Sequence, residues 1–294
     1  MNILLAMLAA FLWGTTYAVT QYTLSGWPPL LLGMLRALPA GLLLLALKPN
    51  LPKRKDWPIL CLLGSINIAL FFSLLFVMAQ TLPSAISSVG MVSLPVFALF
   101  YYWIFYQQTP TRLQLLSGAL LITCAWLLFD PFNLTLNPIG LSAMLAAIAC
   151  ILVGSNLTKK LGARIHWWPV LCWQLILGGA ILGLIALAHA FINPRQYIAA
   201  WNNINGLNII GLMWLIVLNT MLAYSLYVWL LSKMSVVEFT FAGISNPIAG
   251  ILMGLILIGD SFSLHQYLLM GAMIATSLIA PLVNHQRRKK DEQD

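Results

Sequence analysis

The sequence predicts an all-α polytopic membrane protein: ten transmembrane helices in two five-helix inverted repeats. Three observations carry this prediction. Of 294 residues, 61% are hydrophobic and only 7% charged, whereas soluble chains carry about 25% charge. Ten apolar segments, each close to the ~20 residues that cross a bilayer, follow one another with short polar gaps. Lysine and arginine recur in every second gap.

The segments run, in order, over 3–22, 29–47, 57–78, 83–105, 112–129, 138–158, 168–191, 208–230, 236–258 and 264–283. The first has no basic flank and outruns the apolar core of a signal peptide, so it reads as a span. Turn signals separate the segments: Gly26–Trp27–Pro28–Pro29, Lys48–Pro49–Asn50, Thr109–Pro110, Asp130–Pro131 and Asn193–Pro194. Most are apolar all round, as helices surrounded by lipid and other helices should be. Trp27, Trp57, Trp167, Trp168 and Trp201 stand at segment ends, where an interfacial belt is expected. Cys61, Cys124, Cys150 and Cys172 lie inside apolar runs and read as small hydrophobes with no structural disulfide.

The net charge of +8 is chiefly topology. Lys48, Lys53, Arg54 and Lys55 follow segment two, and Arg112 follows the gap after segment four. Lys159, Lys160 and Arg164 follow segment six, Lys233 follows segment eight, and Arg287, Arg288, Lys289 and Lys290 close the chain. Thirteen of the 15 cations thus share one side, leaving Arg195 opposite and Arg36 inside segment two. By the positive-inside rule both termini are cytoplasmic. The tail cluster also suits contact with anionic headgroups. Nothing else in the chain supports nucleic-acid binding.

Residues 67–95 can be laid on 219–247 without a gap. Asn67 then meets Asn219, Ser73 meets Ser225, Ser93 meets Ser245, Pro95 meets Pro247, and Gln107–Gln108 falls on Gly259–Asp260. In the leading helices Trp13–Gly14 falls on Val153–Gly154 and Thr16 on Asn156. A repeat of five spans enters the membrane in opposite directions, and transporters of that design bind substrate near the midplane between the halves. The expected halves are residues 1–130 and 131–294.

These residues resemble a known family. Leu12–Trp13–Gly14–Thr15–Thr16–Tyr17, the helix-two Arg36, and the small-residue runs through Pro95 and Pro247 resemble EamA-type proteins of the drug/metabolite transporter superfamily. Gln108 and Asp260 stand where that family usually has Glu. The resemblance implies transport of small metabolites, often export of amino acids or related compounds.

The candidate substrate-binding residues are Trp13, Thr16, Tyr17, Arg36, Asn67, Ser88, Ser93, Asn156, Gln174, Asn219, Tyr224, Thr240 and Asn246, with Pro95 and Pro247 as kink or gating positions. Arg36 is the deepest cation. It is either an anion site or a structural residue bonded to carbonyls, and the apolar repeat equivalent near Ile176–Leu177 favours the second. Gly33, Ala37, Ala40 and Gly41 would let a neighbouring helix shield it. Pro95 and Pro247 free the carbonyls of Met91 and Gly243, either along a pathway or in fixed kinks compensated by local hydroxyls. The remaining polar groups either line an amphipathic cavity or bond helix to helix. Gly179, Gly183, Gly250 and Gly254 are spaced for close helix packing within one chain. Glu238 is the single carboxylate inside a span, with Lys233 near enough to pair with it, so a facilitator or exchanger is expected rather than a strongly proton-coupled pump.

No catalytic pattern is evident; Gly259–Asp260–Ser261 is too short a match to a hydrolase motif to weigh against its position at a helix end. His189, His265 and His285 have no metal-ligand spacing. The expected molecule needs no cofactor. Its partners are a small-molecule substrate and the lipid bilayer of a bacterial inner membrane, with no nucleic acid, as a monomer or weak homodimer. The alternatives are a non-transporting membrane binder or complex subunit and, within the superfamily, a nucleotide-sugar or sugar-phosphate carrier. One buried cation is few for clamping phosphates.

Overall fold

The structure is a computed structural model that describes residues 2–107, 109–129, 136–162, 164–233, 239 and 242–276. Glu238, Thr240, Gln108, Asp130 and the basic tail lie outside the described residues. Among those described there are helices and no strand. We label the apolar helices α1 (Asn2–Thr23), α2 (Pro29–Leu47), α3 (Arg54–Thr81), α4 (Ser84–Phe105), α5 (Arg112–Phe129), α6 (Pro138–Gly162), α7 (Trp167–Ile192), α8 (Gly206–Leu231), α9 (Ser245–Ile258) and α10 (264–276). Seven of them, α1–α4 and α6–α8, are long and apolar enough to cross a membrane; the described parts of the other three are shorter. A short helix, Pro194–Asn202, lies between α7 and α8.

Local chemistry sets the helix ends. α2 opens on Pro29 at its first position, where a missing N–H costs nothing. α8 opens on a reciprocal cap between Asn205 and Asn208. The Thr111 and Gln114 side chains form the same kind of reciprocal cap before α5, as do those of Ser263 and Gln266 before α10. α9 ends on Gly259 at φ 76°, a left-handed residue that glycine supplies without a Cβ clash.

Several irregularities recur 152 positions apart, the offset at which the two halves align in sequence. Asn67 lies in a π-helical stretch, Ser65–Leu70, and Asn219 in another, Trp214–Leu222. Ser73 and Ser225 each bond the carbonyl four residues back. Gln107 has φ 54°, matching Gly259 at the end of α9. The Thr111 and Ser263 caps also fall at this spacing.

The proline breaks follow the same rule. Leu94 N–H donates to Met91 O, and Asn246 N–H to Gly243 O at 3.0 Å. The carbonyls freed by Pro95 and Pro247 are therefore taken by the amide three residues on, within short 3-10-like turns. Both breaks are compensated internally by backbone, with serine hydroxyls added: Ser93 Oγ donates to Gly90 O and Ser245 Oγ to Ala242 O.

Helices pack most tightly where glycine removes a side chain. α2 lies along α7, with Gly179 against Leu38 and Gly41 against Ile176. α1 lies along α9, where a Cβ on Gly14 would overlap the Asn246 carbonyl. α4 meets α9 through Gly250 on Ser88 and Gly254 near Ser84. The small residues near Arg36 serve α7 rather than the arginine: Gly33 faces Leu182 and Gly41 faces Leu175 and Ile176.

Candidate functional site

Two polar assemblies occupy the centre, and the expected site residues divide between them. The first is a buried knot where α1, α2 and α8 meet. The π-helical turn in α8 exposes the Asn219 carbonyl. Trp13 Nε1 donates to it at 3.1 Å and Arg36 at 3.3 Å. Arg36 Nε also donates to Thr220 Oγ1 at 2.8 Å, while its guanidinium carbon lies 4.3 Å from the centre of the Phe72 ring. The Asn219 amide donates to Thr16 Oγ1 at 2.6 Å. Arg36 is 2% exposed, and one of its terminal nitrogens has no partner. Among the described residues its charge is thus met by a carbonyl, a hydroxyl and an aromatic face.

Asn67 and Gln174 extend the knot across α3 and α7. Asn67 Nδ2 donates to Gln174 Oε1 at 3.0 Å, and Tyr224 Oη donates to the Asn67 carbonyl. Both amides are fully buried. Asn67 also fills the space left by Gly154 on α6.

The second assembly is a cavity of about 110 Å³ bounded by α1, α4, α6, α8 and the start of α9. Trp13, Tyr227 and Phe239 form its aromatic wall. Ring centres stand 5.0 Å apart for Trp13 and Tyr227 and 5.1 Å for Tyr227 and Phe239. Two polar features interrupt it. Ser155 Oγ and Tyr227 Oη pair at 2.6 Å, and Asn246 Oδ1 is buried without a partner. Tyr17 stands behind Asn246, its hydroxyl paired with that side chain.

The cavity lies toward the end of the bundle that carries Lys48, Lys159 and Lys233, reaching Leu231 at the end of α8. The other end is tied shut. Gln21 Nε2 bonds the carbonyls of Ala79 and Leu82, Gln80 that of Trp27, and Asn208 that of Thr23. Asp260, just beyond α9, fits against Gly254 and the Ala85 amide at the start of α4. Burial raises its carboxyl above the ordinary value.

Of the expected residues, Trp13, Asn246 and Pro247 line the cavity. Thr16, Arg36, Asn67, Gln174, Asn219 and Tyr224 form the knot, and Tyr17 touches both assemblies. Ser88, Ser93 and Asn156 turn back onto their own helices, bonding Ala85 O, Gly90 O and Leu152 O. Pro95 falls in α4 at the break, and Thr240 lies outside the described residues. Lys233 Nζ lies 4.3 Å from the Trp229 ring centre. Ser155, Tyr227 and Phe239 complete the cavity without having been singled out as binding residues. Tyr227 is three residues on from Tyr224, on the same side of the helix. Ser155 was hidden by its neighbour Asn156, about 100° round the helix.

Known proteins resemble this chain over nearly its whole length. A solved crystal structure superposes with a TM-score of 0.69 at 16% identity, covering 97% of this chain and 98% of its own. The protein PecM of Dickeya dadantii is 29% identical over 290 residues, covering 97% of this chain and 94% of PecM. The inner membrane transporter YedA of Escherichia coli K12 is 26% identical over 285 residues, covering 92% and 87%. The sequence pattern of the EamA-like transporter family matches residues 1–129 and again 138–280. With both halves matched, the chain belongs to the EamA-like transporter family.

Proposed function

We propose that this chain is a secondary transporter of a bacterial inner membrane. It moves a small amphipathic metabolite, an amino acid or related compound, outward by alternating access between two inverted five-helix halves. The observation that carries this reading is the central cavity, displaced toward the basic end, while side-chain bonds tie the other end. On the positive-inside assignment, that is a cytoplasm-facing state ready to load an exported substrate. The aromatic wall of Trp13, Tyr227 and Phe239 suits an apolar body, and the unpaired Asn246 Oδ1 suits a hydrogen-bond donor on the substrate. The matched irregularities at an offset of 152 residues, and the two stretches that fit the family pattern, support the repeat. Inner-membrane placement rests on the described spans and on relatives such as YedA. With Lys233 near enough in sequence to pair with Glu238, the reading is a facilitator or exchanger.

The test is flux in proteoliposomes over a panel of labelled amino acids and analogues, paired with growth on toxic analogues with and without overexpression. Saturable flux that falls at least tenfold in Tyr227→Ala and Asn246→Ala, with unchanged chromatographic profiles, is the expected result. No flux for any panel member, or flux indifferent to both substitutions, would overturn the reading. Flux that tracks an imposed proton gradient and disappears in Glu238→Gln would replace the facilitator with a coupled pump.

A further inference from the structure

We propose that the groove between the α2–α3 and α6–α7 loops binds the phosphate headgroup of an anionic phospholipid. The groove has a volume of about 760 Å³. Lys53, Lys55 and Arg164 stand on its rim, all exposed, with Asp56 the one carboxylate beside them. Among the described residues no ion pair neutralises these three cations. α3 and α7 both begin here, at Arg54 and Trp167, and their dipoles add positive potential to the same space, with the Trp168 N–H already taken by His166 Nδ1. The planar guanidinium of Arg164 can hold two phosphate oxygens at once, and the lysines can supply point charges beside it.

The floor decides between a lipid and a soluble anion. Ile59, Leu161, Ile165 and Pro169 make it apolar, with Leu161 and Pro169 buried. Inorganic phosphate gains nothing from such a surface, whereas the glycerol and first acyl carbons of a lipid would cover it. The depth is right as well. Trp168 Nε1 donates to Lys48 O and Trp173 Nε1 to Asn50 O, each at 2.9 Å, and Trp57 meets Trp173 edge-on at 4.6 Å. Tryptophans concentrate at headgroup level, and these three brace the two loops against each other, so the groove is formed before anything enters it.

The experiment titrates the full chain, purified in neutral detergent, with phosphatidylglycerol, phosphatidylcholine or inorganic phosphate. It reads the unfolding midpoint and the tryptophan fluorescence. Phosphatidylglycerol is expected to raise the midpoint saturably and salt-sensitively, and phosphatidylcholine to leave it unchanged. Replacing Lys53, Lys55 and Arg164 together by Gln should raise the half-saturating lipid concentration at least tenfold, whereas Lys159→Gln, an exposed cation outside the groove, should not. A triple variant that responds like the parent overturns the site. If that variant cannot be purified, Arg164→Gln alone serves, and an unchanged half-saturation there overturns the site equally. Millimolar inorganic phosphate that reproduces or fully competes away the lipid effect overturns the lipid assignment and leaves a soluble-anion site.

Discussion

Arg36 holds a full charge among apolar helices by reading a defect in a neighbour. The π-helical turn in α8 leaves the Asn219 carbonyl free, and Arg36 and Trp13 both donate to it. Arg36→Ala would leave that carbonyl with Trp13 as its remaining side-chain donor and remove the donor to the Thr220 hydroxyl, at a cost of about 1–3 kcal/mol. Arg36→Lys should recover little, since one ammonium cannot reproduce the fork that spans both acceptors. Unfolding midpoints of the two variants in detergent check this; a full rescue by Lys would show that charge alone matters. Asp260 tests the opposite situation, a carboxyl with one oxygen buried and unpartnered. Its folded-state pKa is raised from 3.8 by burial, with the Ala85 amide acting in the other direction. The folded protein therefore binds this proton more tightly than the unfolded chain. The stabilisation is fully present below 3.8 and is lost as the pH rises through the folded value. Asp260→Asn should thus unfold at a higher temperature than the parent at pH 7–8, and the two should converge toward pH 4. A difference that persists at pH 4 would point to packing instead.

At the level of elements, the proposed repeat is supported by irregularities more than by identities. Paired Asn, Ser and Pro positions could be seen in the sequence because those residues are rare in apolar helices. The Thr111–Gln114 and Ser263–Gln266 caps were just as regular but went unread, since Thr and Ser, or a lone Gln, carry little weight in a loop. The left-handed turn at residue 107 was hidden for a physical reason: its counterpart is Gly259, and Gln gives no sign of a positive φ. A side chain in that conformation costs about 1–2 kcal/mol. Gln107→Gly should therefore stabilise the chain by about 1 kcal/mol, and Gly259→Ala should destabilise it by a similar amount, as thermal unfolding would reveal. Gly14 marks the closest approach of α1 to α9. Gly14→Ala should cost about 1–3 kcal/mol through forced separation, and Gly14→Leu should abolish folded protein on size exclusion.

For the whole molecule, the scarcity of charge made the class legible, and the placement of charge yields the topology as a prediction. Burial partners were not legible, because polar residues in a membrane protein may face a cavity or another helix at the same helical angle. Asn219 and Asn246 illustrate this. Both are asparagines in apolar helices, yet one bonds Thr16 within the knot and the other bonds Tyr17 beside the cavity, with its Oδ1 left unpartnered. The positive-inside assignment predicts that reporters fused after residue 294 will be active as green fluorescent protein and inactive as alkaline phosphatase, with a reporter inserted near Asn203 behaving oppositely. The reverse pattern would invert the cavity's exposure and turn an exporter into an importer on the same geometry.

The π-helical stretch in α8 also acts as a phase shifter. An extra residue accommodated in one turn rotates everything downstream by about 100° relative to a continuous α-helix. Thr220 and Asn219 face the Arg36 knot within that stretch, whereas Tyr227, two turns on, faces the cavity wall. Deleting a single residue between Leu215 and Val217 would restore an unbroken helix yet swing Tyr227 away from Ser155 and Trp13. Insertions and deletions here therefore act as rotations of the cavity wall, and a length change of one residue alters the cavity's shape without replacing any side chain that lines it.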